Sequence, residues 1–172
     1  MKNKLIIASV LLIVLIGVGY WVFDQLGGNN PILISKVNKQ PDPLSGFYFV
    51  GIPQDERLGK AFEAIEIQKS LHPGSHLHTI YEVEPAGKLD TMRVFVGLNA
   101  LVSADSISFR QFEEKGYLVA KISGSKWVMP SPKTVKKELK AYADSAELTL
   151  SEIFIDKIIS EQEVHVIAPI KD

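Results

Sequence analysis

The sequence predicts an α+β fold built of two β-α-β-β modules and preceded by a transmembrane helix. Three observations predict it. Residues 5–23 form an apolar run that no charged residue interrupts. Two later stretches carry helical stripes of apolar residues, each flanked by short β-rich runs. The order strand, helix, strand, strand occurs twice between residues 45 and 172, as a repeat of structure more than of letters.

The apolar run comes first. Its 19 residues would rise about 28 Å as a helix, close to the roughly 30 Å of a bilayer's hydrocarbon. Tyr20 and Trp21 sit where an interfacial aromatic belt belongs, and Lys2 and Lys4 precede the run. The positive-inside rule then places residues 1–4 in the cytoplasm, residues 5–23 as a single-pass membrane anchor and the rest of the chain outside. A cleaved signal peptide fits less well. Its apolar core spans about 7–15 residues, and Tyr-Trp-Val-Phe makes a poor cleavage site. Residues 24–44, with Gly-Gly-Asn-Asn-Pro and Pro41-Asp-Pro43, read as a linker, within which 32–37 could form an extended strand.

In the first module, 47–52 reads as a strand. A helix follows over 55–71, with Leu58, Ala61, Phe62 and Ile65 on one stripe, and His72-Pro73-Gly74 stops it. Residues 79–83 and 92–98 form a strand pair. In the second module, 117–122 is a strand. Ser131 caps a helix that opens on Pro132, with Val135, Leu139, Tyr142, Ala143 and Ala146 as its stripe. Residues 153–159 and 163–167 are the closing strands, joined through 160–162.

Composition narrows the function. Of the 172 residues 46% are hydrophobic and 23% charged, a globular balance, and the net charge of -1 does not favour nucleic acid as a partner. Cysteine is absent. That excludes disulfides, thiol nucleophiles, cysteine-ligated zinc and a lipoprotein cysteine. Among His72, His76 and His78 no further metal ligand is tied in by motif, so no metal and no cofactor is expected. No Gly-rich phosphate loop and no Gly-x-Ser-x-Gly elbow is present. Lys133, Lys136, Lys137 and Lys140 read as a solvated helix face, with contact to anionic headgroups as the minor reading.

The doubled module resembles the GyrI-like effector-binding domain, also found as the ligand-binding half of bacterial multidrug-responsive regulators. The segments that carry the resemblance are 47–52, 92–98, 117–122 and the closing 164–170 with its Ala168-Pro169-Ile170. No single string among them is diagnostic. The resemblance implies a curved antiparallel sheet with two helices on one face and an open small-molecule cleft on the other. A membrane anchor here takes the place of the DNA-binding helix-turn-helix of many members. The family often places an acid four residues before the closing Pro, as a partner for a cationic ligand or as an acid/base in hydrolytic members. His165 stands there instead, with Glu163 two residues earlier.

Alternation assigns side chains to faces. Val94, Val96, Val164 and Val166 are expected beneath the helices. Phe49, Phe95, Tyr117, Lys121, Trp127, Glu163 and His165 are expected to line the open-face cleft, with Arg93 nearby. Aromatic walls with a few charges suit a charged, aromatic small molecule. The expected function is thus a non-catalytic, membrane-anchored binding domain. Alternatives are a hydrolase using Glu163 and His165, a haem protein ligated through His165, and a partner-binding module with a filled cleft.

Overall fold

The computed structural model describes residues 2–102 and 107–171. In chain order they form α1 (Lys2–Gln25), β1 (Leu33–Val37), β2 (Leu44–Gly51), α2 (Glu56–Leu71), β3 (Leu77–Val83), β4 (Met92–Leu98), β5 (Ser108–Arg110), β6 (Tyr117–Ser123), α3 (Pro132–Ser145), β7 (Ile155–Ser160) and β8 (Glu163–Pro169).

Local chemistry sets the helix ends. The Asp55 carboxylate accepts the Arg57 backbone N–H at 2.9 Å and caps α2. Hydrogen bonds from the Arg57 side chain and backbone hold that carboxyl down at about 2. α2 ends at His72, ahead of Pro73 and of Gly74, whose φ of 85° favours glycine. Ser131 Oγ accepts the Thr134 N–H at 3.2 Å, and Pro132 occupies the first turn of α3, as its sequence predicts.

The eight strands make one antiparallel sheet of order β1-β6-β8-β7-β3-β4-β2-β5. The first module is β2-α2-β3-β4 and the second β6-α3-β7-β8. They join through β3 and β7, so β6-β8-β7 mirrors β2-β4-β3 across that seam. β1 extends one edge beside β6 and β5 the other beside β2. β1 lies within the stretch read as a linker, at the place where a strand was possible. β5 was not foreseen, since three residues carry too little pattern.

Register decides the faces. Phe49 opposes Val94, which opposes Tyr81, while Thr79 opposes Asp156, Asp156 opposes Val166 and Val166 opposes Ala120. All of these lie on one face, and both helices cover it. Ile65, with Leu58 and Phe62, packs α2 onto Phe49, Leu77, Val94, Val96 and Leu98. Val135, Leu139 and Ala143 pack α3 onto Leu118, Ala120, Ile122, Val166 and Ala168. The opposite face is not empty. Leu44, Ile80, Phe95, Val119, Ile155 and Ile167 form a second core there, and Phe112 from the β5–β6 connection closes over it. The Gln40 side-chain amide donates to the Phe112 carbonyl and holds that connection down.

Two expectations are corrected. Phe49 belongs beneath α2 and not on the open face, because its partner in β4 is Val94 and the open-face partner of Phe95 is Tyr48. The membrane-spanning anchor, and with it the placing of the domain outside a membrane, is corrected as well. Among the described residues no helix is long and apolar enough to cross a membrane. The C-terminal end of α1 is tied to the sheet. Ser125 N–H donates to the Leu26 carbonyl at 2.8 Å and the Asn30 amide to the Ser123 carbonyl at 3.0 Å.

Candidate functional site

α2 packs on β2, β3 and β4, and α3 packs on β6 and β8. The middle of the helix-covered face, at the β3–β7 seam, is left between them as a groove of about 390 Å³. Pro85, Pro132, Ile158 and Val164 make its apolar walls, and Thr79, Tyr81, Glu84, Lys136 and Asp156 supply the polar groups.

Asp156 lies in the middle of β7, where an aspartate is unusual in a strand. Burial pushes its carboxyl group up to about 6, Lys136 opposing the shift and Glu84 adding to it. Among the described residues none hydrogen-bonds to that carboxyl group. Thr79, 4% exposed, is its cross-strand partner. Burial also raises Tyr81, with Asp156 and Glu84 contributing. At the rim Lys136 Nζ is ion-paired with Glu84, and the same ammonium lies 5.1 Å from the centre of the Phe154 ring. An acid, a phenol and a hydroxyl with apolar walls make a pocket that can orient a small organic molecule.

The residues expected to form a cleft are scattered. Phe49 is under α2. Phe95, 0% exposed, sits in the open-face core with Tyr48 edge-on at 5.0 Å, and Tyr117 packs beside that core. Trp127 is 81% exposed, with Lys126 Nζ 5.4 Å from its ring centre. Lys121, Glu163 and His165 do come together on the open face. Lys121 is the cross-strand partner of His165, and His165 Nε2–H donates to the Glu163 carboxylate at 2.7 Å. His78, 2% exposed, donates from Nδ1 to the His76 carbonyl at 2.8 Å, and burial lowers it to about 4. Among the described residues no group of three or more His, Cys, Asp or Glu could hold a metal.

Sequence reasoning singled out none of Tyr81, Glu84 and Asp156, and read as solvated helix face a Lys136 that is 23% exposed and paired with Glu84. One signal was present: Asp156 shares its face with the apolar Ile158 in the strand Ile155-Asp-Lys-Ile-Ile159. An acid on the buried side of a central strand calls for a reason.

No protein-family model matches the chain, and no curated protein matches it significantly. Solved structures do. A hydrolase from Listeria innocua superposes with a TM-score of 0.58 at 9% identity, over 87% of this chain and 98% of that one. The EcmrR C-terminal domain gives 0.53 at 12% identity, over 83% and 98%. EcmrR in a complex with DNA gives 0.55 at 10% identity, over 99% and 70%. The likeness is one of fold. It agrees with the doubled-module layout of GyrI-like domains.

Proposed function

We propose that the sheet β1–β8 with α2 and α3 forms a small-molecule-binding domain whose ligand lies in the groove beside α3 at the β3–β7 seam. One observation carries this reading: the half-buried Asp156 carboxyl group lines the groove without a hydrogen-bond partner among the described residues. A partly desolvated acid is costly unless something offsets it, and a ligand bearing N–H donors or a cationic centre would do so. The apolar walls suit a flat hydrocarbon body. The resemblance to effector-binding domains supports small-molecule binding, but implies a cleft on the open face. On this reading the cleft lies on the helix-covered face, since Phe112 and its neighbours fill the centre of the other.

Calorimetric titration of the purified chain at pH 7.5 with 1-naphthylmethylamine, 1-naphthylmethanol and 1-naphthoate tests it. The amine is expected to bind tightest and the carboxylate weakest. Asp156→Asn should weaken the amine about tenfold, the loss of one charge-assisted hydrogen bond. Equal binding of amine and carboxylate, unmoved by Asp156→Asn, would reject the reading.

Hydrolysis is a second reading. A carboxyl group near 6 suits a general base close to neutral pH, Tyr81 stands beside it, and a neighbour of this fold is described as a hydrolase. It requires turnover of an activated ester such as nitrophenyl acetate, with a pH limb near 6 that Asp156→Asn abolishes.

A further inference from the structure

The groove already contains a cation of its own. Lys136 reaches from α3 to Glu84, in the segment after β3, and pairs with its carboxylate. The lysine side chain is 23% exposed and that of Glu84 59%, so the pair stands at the rim, beside Asp156 in the same groove. The ammonium also rests over the Phe154 ring, and its charge acts on Asp156. One residue thus touches an aromatic face and a rim carboxylate, and its charge reaches the half-buried acid of the groove.

We propose that Lys136 is a built-in competitor for a ligand's cationic group, a displaceable latch that spans the groove from α3 to Glu84 until a bound cation takes its place. The inference rests on reading the groove as the ligand site and adds how that site selects charge. A partly exposed ion pair holds by little, so the latch opens readily. Lysine has a flexible stem and a strongly hydrated head, so the freed ammonium can return to water. A ligand cation must nevertheless bind against the closed population, which lowers its apparent affinity by the fraction open. A neutral ligand of the same shape has no need to open the latch.

The test compares the full chain with Lys136→Met and Lys136→Arg, titrated with 1-naphthylmethylamine and 1-naphthylmethanol. Lys136→Met should bind the amine about tenfold tighter, the gain from removing one competing charge-assisted contact. The alcohol should change by less than about twofold on the same scale. Lys136→Arg keeps the charge and should not gain. Carbon-13 NMR of the Asp156 carboxyl group supplies a ligand-free readout, and its titration should move upward in Lys136→Met. Lys136→Gln serves the same purpose if the Met variant does not fold. Unchanged or weaker amine binding in Lys136→Met, with the alcohol still bound, overturns the latch and leaves the groove standing as a site. Loss of alcohol binding in Lys136→Met also overturns it, by making Lys136 a structural support. Failure of both probes on every variant overturns the latch and the groove together.

Discussion

The seam between β3 and β7 holds a desolvated titratable group on each face of the sheet, His78 buried and Asp156 half-buried, and the two sides treat theirs differently. On the open side His78 is enclosed, its ring donates to the His76 carbonyl, and burial lowers it to about 4. On the helix side Asp156 is pushed up to about 6, has no hydrogen-bond partner among the described residues, and borders a void. Both environments favour the neutral form. His78 has protein around it and Asp156 has space in front of it. Burial therefore does not mark a site by itself. A desolvated acid beside unfilled volume does, because the missing partner has somewhere to bind.

If the open face is a packed core, Phe112→Ala should cost about 3–5 kcal/mol in urea unfolding, because it opens a cavity over Phe95 and Ile80. A cost within about 0.5 kcal/mol would make Phe112 a lid over an unfilled cleft and undo the contrast.

Proton linkage sharpens it. Asp156 has a folded pKa near 6, above its ordinary 3.8. Its native state holds the proton longer, so its contribution is fully present below 3.8 and is lost as pH rises through 6. His78, near 4 against an ordinary 6.5, works the other way. Its contribution is fully present above 6.5 and is lost as pH falls through 4. Between about 4 and 6 the two oppose each other. Asp156→Asn should therefore leave a protein that loses stability with acid more steeply than wild type. His78→Phe should leave one that loses it less. Each difference should amount to about 1–3 kcal/mol, read from urea midpoints at pH 4.5 and 7.5. Identical pH slopes for Asp156→Asn and wild type would mean that Asp156 is not desolvated.

The smallest expected effect is at Lys121, exposed on the open face beside His165. Lys121→Met should change stability by no more than about 0.5 kcal/mol and leave amine binding within about twofold. A larger change in amine affinity would return the site to the open face.

Much of the fold was legible because its signals are local. Asp55 and the Ser131-Pro132 pair start helices, His72-Pro73-Gly74 stops one, and the apolar stripe of α3 identified Val135, Leu139 and Ala143 as core. Alternation within a single strand was equally readable. Val94 and Val166 do lie under the helices, and Phe95 and His165 do face away from them. The three residues of β5 carried too short a pattern to read, and so did the closure of Phe112 over the open face.

From sequence alone follow the element types, the doubled β-α-β-β order and the two sides of each strand, since these depend on φ/ψ preference and on periods within one segment. Tertiary structure decided how those sides match between strands. Pairing Phe49 with Val94 sent one aromatic under α2 while Tyr48 joined Phe95 on the other face. A one-residue difference in register exchanges every side chain of a strand, and register is set by partners distant in sequence. For the same reason the groove could not be read in advance: Tyr81, Lys136 and Asp156 come from three elements, and only packing sets two helices far enough apart to leave a space between them.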